Sequence, residues 1–388
     1  MKKLHIINLA KMGGVERLFI QYINDFSAGQ DEVICISNKI DPAIRQQIPQ
    51  QKITFANRLF NHIELKAPQF LRKYLLQYRI NHSQAEVAIV WDLVPVLIGK
   101  PKHIKMVYYD HGCSWRYPKN EKTLAFMAML DGVISASYAS NRVMQHRFNL
   151  PCPHHVVINR IMTPEDIDSH PQRPGQPLRL GTASRQVSLK GISVALLMMK
   201  ALLDCGREVT LEVAGKGPDL DAFIALARRL KIDNYVTFSG FQQDMSVFFN
   251  RTDIYISTPV TEPFGLSCME ALYYGIPLIF PMIDGQPEVI KHNECGIGLI
   301  PDVTIEQHEK LSGIRVDFPY EVYDPLNDAM TQPKLLSHMA CADAVERLSD
   351  PATYQSFSQN AKSRAVTHFN YMLFKADFDN ALVSIIGN

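Results

Sequence analysis

The stretch LRLGTASRQVSLKGISVALLMMK, residues 178–200, reads as a strand, a short loop and a helix in succession. Leu178 to Ala183 is a short apolar run bounded by a loop, and Ile192 to Leu203 keeps apolar residues at helical spacing. A strand that feeds a helix through a short loop is half of a crossover unit, and crossover units build parallel sheets covered on both faces. Ahead of it, Thr163 to Pro177 holds four prolines, one glycine and few apolar residues, the composition of a linker. After it the strand–helix alternation continues, with strand candidates Val209–Ala214, Val236–Phe238, Ile254–Ser257, Pro277–Phe280 and Ile297–Leu299. Helical stretches Leu220–Leu230 and Leu266–Tyr274 lie between them. The same alternation precedes the linker, in the runs Leu4–Asn8, Glu32–Ser37, Ile53–Phe55, Glu86–Trp91, Ile104–Tyr109, Gly132–Ala136 and His155–Ile158. Helical sequence from about Pro333 to Ile386 closes the chain, and Asp302–Tyr320 reads as an irregular insertion.

The expected fold class is therefore α/β: two doubly wound, Rossmann-like domains facing a central cleft. The boundaries expected are 1–165 for the first domain and 166–177 for the linker, followed by 178–350 for the second domain and a closing helical segment, 351–388.

With 388 residues, 46% hydrophobic and 20% charged, the chain has ordinary globular composition, which rules out collagen-like, disordered and small disulfide-scaffold classes. Its net charge of +1 excludes a polycation built for nucleic acid. No apolar run is long enough to span a bilayer or to make a signal peptide. Seven scattered cysteines without Cys-x-x-Cys fit a reducing cytoplasm rather than a zinc site or a disulfide framework. The expected location is cytoplasmic, with a peripheral variant at the inner face of the membrane, because the charge is unevenly spread. Residues 1–165 carry 21 Lys+Arg against 12 Asp+Glu, and residues 166–388 carry 19 against 27. Within the basic half, Pro68–Ile80 places Phe70, Leu71, Tyr74, Leu75 and Tyr78 at helical spacing beside Arg72, Lys73 and Arg79. Such a helix either packs its apolar stripe on its own sheet, the commoner case, or lies on an anionic membrane surface.

Chemistry-bearing motifs fall where strands end. Gly13-Gly14 follows the first strand and allows close backbone approach of a phosphate or sugar at a helix N-terminus, although a bare pair also suits a tight turn. His111 stands just past a strand end, where it can hydrogen-bond a hydroxyl. Arg185 and Lys190 flank a strand–helix loop, a placement suited to a diphosphate. Gly215-Lys216-Gly217 follows another strand and lacks the spacing of a P-loop. The most informative segment is Thr261-Glu262-Pro263-Phe264-Gly265-Leu266-Ser267-Cys268-Met269-Glu270. It offers one carboxylate from a loop, free amides at a helix start and a second carboxylate one turn in.

Taken together, these residues resemble the retaining glycosyltransferases of family 4, which have the two-domain GT-B fold. Glu262-x7-Glu270 within Glu-Pro-Phe-Gly-Leu is similar to that family's signature. Similar too are Gly13-Gly14-Val15-Glu16, Arg185 with Lys190-Gly191, Gly215-x-Gly217, Gly240-Phe241, and Asp284-Gly285-Gln286-Pro287-Glu288. The likeness is dense over 178–300 and thin over 20–100. It implies that 1–165 is an acceptor-binding domain, that 178–350 is a nucleotide-sugar-binding domain, and that the segment 351–388 crosses back to the first domain. It also implies that Arg185 and Lys190 neutralise the donor diphosphate, that Glu270 holds the ribose and that Glu262 contacts the donor sugar. It further implies that the Gly265–Leu266–Ser267 turn caps a phosphate, that Gly14 approaches the donor, that His111 bonds its sugar, and that Gly240 and Phe241 line the base pocket. One departure stands out: Gly181-Thr182-Ala183-Ser184-Arg185 replaces the family's usual Gly-Arg-Leu-type run.

The expected activity is transfer of a hexose-type sugar, with retention, from a UDP- or GDP-linked donor to a glycan or lipid-linked acceptor in bacterial polysaccharide or lipopolysaccharide synthesis. In the front-face attack pictured for the family, the departing diphosphate helps take the acceptor proton. Cationic side chains and a helix N-terminus answer the growing charge. No Asp-x-Asp is present, so no metal and no further cofactor are expected. The alternatives are a sugar-nucleotide epimerase of the same two-domain build and a non-catalytic sugar-binding protein. A transferred sugar separates the first from a transferase, and the intact Arg185, Lys190, Glu262 and Glu270 speak against the second.

Overall fold

A computed structural model describes residues 1–27, 29–163, 174–242 and 244–387. It divides the chain into two compact units, residues 1–159 with 372–388, and residues 160–371.

The first unit is built on a parallel sheet of β1 (Lys3–Ile7), β2 (Glu32–Cys35), β3 (Ile53–Phe55), β4 (Val87–Trp91), β5 (Lys105–Asp110), β6 (Gly132–Ser135) and β7 (His154–Val156). Their spatial order is β3-β2-β1-β4-β5-β6-β7. Val87 to Trp91 is apolar at every position because both faces of a parallel strand are covered, and none of these five is more than 1% exposed. Its register runs Leu4↔Ala88 on one side and Ile89↔Val107 on the other.

The second unit repeats the plan with β8 (Leu178–Ala183), β9 (Val209–Ala214), β10 (Val236–Gly240), β11 (Ile254–Ile256), β12 (Leu278–Pro281) and β13 (Gly296–Leu299). The order is β10-β9-β8-β11-β12-β13, all parallel. The order reverses beside β1 in one sheet and beside β8 in the other. At such a switch point the loops leaving two adjacent strands diverge to opposite faces and open a crevice at the strands' carboxyl ends.

Several expectations change. The first unit's leading segment closes at Asn159 rather than 165, because Asn159 hydrogen-bonds Tyr109 of β5, whereas Arg160 bonds the carbonyl of His368. Of the linker, residues 166–173 lie outside the described residues. The closing helical segment is divided: helix Pro351–His368 packs on helix Leu266–Tyr273 in the second unit, and only residues 372–388 belong to the first. In the first unit Phe378 meets Tyr22 and Tyr109 at ring-centroid distances of 5.4 and 5.1 Å, and Asp379 pairs with Lys3 at 2.8 Å.

The stretch 302–320 is not wholly irregular. Ile305–Ser312 is a helix whose N-terminus carries a complete capping box, with the Thr304 hydroxyl accepting from the Gln307 amide and the Gln307 side chain accepting from the Thr304 amide. Helix Gln69–Asn81 forms where expected, but with its faces exchanged. Leu76, Gln77 and Ile80 are buried, while Phe70, Tyr74 and Tyr78 face solvent.

Candidate functional site

The second unit's site grows from two adjacent strands. β8 and β11 pair at Leu180↔Ile254 and Gly181↔Tyr255, so the loops leaving them start side by side at the switch point. Tyr255 fastens them together: its hydroxyl donates to the Ala183 carbonyl at 2.9 Å and accepts from the Ala183 amide at 3.0 Å. Farther out, the Val260 amide donates to the Leu189 carbonyl at 2.9 Å, and the Thr258 hydroxyl donates to the Gly191 carbonyl at 2.9 Å. Gly191 sits at φ +65°, and a Cβ there would lie 1.8 Å from the Thr258 carbonyl oxygen. Only glycine lets the two loops approach this closely.

The result is a direct pair between two sequence-predicted residues. Lys190 Nζ lies 2.5 Å from Glu262 Oε2, both side chains being about three-quarters buried, at 26% and 21% exposure. Lys190 is held from behind, since its own amide donates to the Val187 carbonyl, and the Ser188 amide donates to Asp219 Oδ2 at 2.7 Å. Glu262 is held by Asp284, which the sequence reading quoted without giving it a role. Asp284 Oδ2 accepts from the Glu262 amide at 2.9 Å and the Thr261 hydroxyl at 2.7 Å, while Oδ1 accepts from the Tyr323 amide at 2.8 Å. Burial pushes the Asp284 carboxyl up to about 6 against these donors. The signal available in sequence was its place, an Asp-Gly pair in the loop that leaves β12. Gly285 packs so tightly that a Cβ would meet the Pro263 carbonyl oxygen at 1.9 Å.

The helix Leu266–Tyr273 opens at Gly265, φ +102°, with no side-chain cap, which leaves its first amides to an outside acceptor. Leu266 and Ser267 are half-buried there, and Glu270 is buried one turn in. The charge on Glu270 reaches Tyr255, whose hydroxyl burial raises well above its ordinary value with Cys268 and Glu270 adding to it. Tyr255 in turn bonds Ala183, the strand end from which the Arg185–Lys190 loop leaves. Gln286, also missed, donates from Nε2 to the Phe264 carbonyl at 3.4 Å and accepts from the Ser257 hydroxyl at 3.0 Å, bracing the turn before Gly265.

Arg185 is exposed and makes no ion pair among the described residues. Gly215, at φ +123°, lies against the Ser184 carbonyl, and Gln186 Nε2 donates to the Gly215 carbonyl at 3.0 Å. Gly240 carries φ +71° at a register shift in β10, and the Gly215 amide donates to its carbonyl at 2.7 Å. Phe241 is 62% exposed, with Lys216 Nζ 5.9 Å from its ring centroid. All these loops leave the carboxyl ends of one sheet.

The remaining predicted residues, Gly13, Gly14 and His111, lie in the first unit. Gly13 precedes helix Gly14–Phe26, and the Glu16 carboxylate folds back to accept from the Gly13 amide. Burial pushes Glu16 up to about 7, with Asp92 beyond β4 adding to the effect. Asp110 is likewise raised to about 7 by burial and then by Asp92, and it accepts from the Gly112 amide at 2.9 Å and the Ser114 hydroxyl at 3.0 Å. Glu16, Asp92 and Asp110 were not singled out from sequence as site residues, although Asp92 follows β4, Asp110 ends β5 and Glu16 stands in the first turn of the helix after Gly13-Gly14.

His111 stacks on Trp91 at 5.8 Å and packs on Tyr109 at 4.1 Å. Burial drives its pKa down to about 3, so the ring is neutral. Asn159 orients it: Tyr109 donates its hydroxyl proton to Asn159 Oδ1 at 3.3 Å, which turns Asn159 Nδ2 toward His111 Nδ1 at 3.5 Å. A ring that accepts at Nδ1 carries its proton on Nε2, where it has no partner among the described residues. His111 is thereby a donor rather than a base. The C2 proton of His111 is expected not to titrate from neutral pH into mild acid, and Asn159→Asp, which sets an anion against Nδ1, is expected to raise its pKa into the observable range by NMR. Titration of the wild-type ring near pH 6.5, the unperturbed value, would remove this assignment.

Residues 164–312 match the family described as glycosyl transferases group 1. This segment is a glycosyl transferase group 1 domain. An uncharacterized glycosyltransferase of Haemophilus influenzae is 23% identical over 340 residues, covering 84% of this chain and 94% of that protein. Among solved structures, Anabaena Alr3699/HepE in complex with UDP and glucose superposes with a TM-score of 0.70 at 17% identity, over 99% of this chain and 100% of that one. The lipopolysaccharide outer core galactosyltransferase WaaB superposes at 0.68 and 17%, over 99% of each chain. The fold is that of the GT-B glycosyltransferases, and the group 1 domain holds Arg185, Lys190, Glu262 and Glu270. No helix among the described residues is long and apolar enough to cross a membrane.

Proposed function

We propose that this glycosyltransferase moves a hexose, with retention, from a UDP- or GDP-sugar to a glycan or lipid-linked acceptor, in the assembly of bacterial surface polysaccharide or lipopolysaccharide at the cytoplasmic side, without a metal. The observation that carries the reading is the Lys190–Glu262 pair at the β8/β11 switch point, directly before an uncapped helix N-terminus. The cation and the helix amides suit a diphosphate, and the glutamates suit hydroxyls. Support for a nucleotide donor comes from the UDP-bound HepE likeness, and support for surface glycans from WaaB and from the putative colanic acid biosynthesis glycosyltransferase WcaL of Salmonella typhimurium, 22% identical over 169 residues.

Mechanistically, the diphosphate draws Lys190 partly away from Glu262 and leaves that carboxylate for a donor-sugar hydroxyl. The leaving group accepts the acceptor proton while Arg185, Lys190 and the amides of Leu266 and Ser267 stabilise its charge. His111, neutral, donates from Nε2 to a sugar oxygen.

The test is a donor panel: each common nucleotide sugar is mixed with the full chain, and thermal shift and slow donor hydrolysis are measured. One donor is expected to shift the melt and be hydrolysed with release of its nucleoside diphosphate. Silence across the panel would overturn the reading, and an epimerised nucleotide sugar would replace it with the isomerase. Because Arg185 is exposed and makes no ion pair among the described residues, Arg185→Ala is expected to lower turnover on that donor by about ten- to a hundredfold, at or below the usual range for one transition-state contact. Unchanged turnover would place Arg185 outside the diphosphate site.

A further inference from the structure

Helix Gln69–Asn81 turns its aromatic residues the wrong way for a helix that merely packs on its sheet. Phe70, Tyr74 and Tyr78 recur every fourth residue, so they form one stripe, and they are 69%, 51% and 59% exposed. Burial of the helix is left to Leu76, Gln77 and Ile80 on another face. Directly before it, residues 59–66 are exposed throughout and carry Phe60 and Ile63 at 56% and 46% exposure. This loop is anchored to the helix. Arg79 Nη2 donates to the Arg58 carbonyl at 2.6 Å, Arg72 Nε donates to the Ala67 carbonyl at 3.0 Å, and Arg58 bridges Lys66 across the loop's neck. The apolar groups therefore stand on a braced scaffold rather than on a loose tip.

The surrounding charge is one-sided. Between residues 58 and 81 there are five Lys or Arg, of which Arg58 is buried, and one carboxylate, Glu64, which is paired with Lys39 at 3.2 Å and with Arg58 at 3.6 Å. Lys66 and Lys73 are exposed, and Lys73 Nζ lies 5.2 Å from the Tyr74 ring centroid. Clusters of exposed apolar groups of this kind mark interaction surfaces. A rim of cations selects an anionic partner, and amphipathic Tyr rings with flanking Lys are the composition that settles at the lipid headgroup level.

We infer that this face docks on an anionic lipid bilayer, with Phe70, Tyr74 and Tyr78 entering the interface and Lys66, Lys73 and Arg72 meeting the headgroups. The inference stands apart from the transferase reading, since it needs no donor or acceptor.

The experiment is co-sedimentation of the full chain with vesicles of phosphatidylcholine alone and with vesicles that also contain phosphatidylglycerol, at low and high salt. Binding is expected only to the anionic vesicles and is expected to weaken with salt. Charge reversal in Lys66→Glu/Lys73→Glu is expected to weaken it by about tenfold or more, since basic residues near such a surface are attracted to its anionic headgroups. The triple variant Phe70→Ala/Tyr74→Ala/Tyr78→Ala is expected to weaken it at all salt concentrations. Both variants alter exposed side chains, and their melting curves and donor-induced thermal shift should match the unmodified chain. Absence of binding to anionic vesicles, or equal binding to neutral ones, overturns the inference. So does a concentration-dependent dimer that the triple variant dissolves, because the face would then belong to a second copy of the chain.

Discussion

Lys190→Ala is expected to lower turnover by about a hundredfold or more, corresponding to the roughly 2.7–4 kcal/mol that one contact to developing charge supplies. The Lys190–Glu262 geometry makes the loss larger than for Arg185. Lys190 Nζ is 2.5 Å from Glu262 Oε2, so its removal leaves a part-buried carboxylate facing the place assigned to a doubly charged leaving group. The same geometry makes the effect non-additive. Glu262→Gln removes that repulsion, and in the double variant the second substitution should cost less than it does alone. A double-mutant cycle on kcat, with the donor selected by the panel, measures this coupling. Lys200→Ala, which breaks only an exposed pair with Asp204, serves as the control and should leave kcat unchanged. Additive losses would mean that Lys190 and Glu262 act on separate parts of the donor. Near-normal turnover for Lys190→Ala would remove it from the diphosphate altogether.

The sequence reading put Lys190 and Glu262 in loops at strand ends, and their pairing follows from strand order more than from side-chain detail. Both units show apolar runs without polar alternation, such as Val87–Trp91, and these specify buried parallel strands. Once β8 and β11 are neighbours, a cation in the loop after one and a carboxylate in the loop after the other are brought together. What the sequence does not carry is the identity of the braces. Asp284 acts through three donors, two of them backbone amides, and one comes from Tyr323 in the stretch 320–331, whose hairpin has no strong periodicity. Asn159 reaches His111 only because β5 and β7, parallel and separated by β6, end on the same side of the sheet. Helix Gln69–Asn81 misleads for another reason. Its aromatic spacing is that of a core-facing stripe, and periodicity states that residues share a face without stating which face is covered. The helix Ile305–Ser312, by contrast, carried a readable signal in Thr304-x-x-Gln307, masked by few apolar residues around it.

Asp284 provides the second large effect, and its direction depends on pH. The carboxylate is 1% exposed, sits at φ +47°, and takes donors from Thr261, Glu262 and Tyr323. Asp284→Ala leaves those donors buried without an acceptor, at about 1–3 kcal/mol each, and frees the backbone of Glu262. A loss of about 3 kcal/mol or more is therefore expected, together with lower turnover because Glu262 no longer faces Lys190 in register. Burial also raises the Asp284 pKa from 3.8 to about 6, so the folded chain binds a proton that the unfolded chain releases. The folded state binds more protons between those two values. Its stability therefore rises as pH falls through about 6 and levels off near 3.8, by up to about 3 kcal/mol for this group. Asp284→Asn, which cannot ionise, should remove that part of the pH dependence while keeping one acceptor. Melting curves at pH 5 and pH 7, values that straddle the folded-state pKa of about 6, should show Asp284→Ala more damaging at the lower pH, where the native carboxyl is protonated and no longer carries a buried charge. Hydrogen exchange at the Glu262 and Tyr323 amides should accelerate in the same variant. A penalty independent of pH would show that Asp284 remains ionised throughout, and unchanged exchange at Glu262 would show that its loop is held by other contacts.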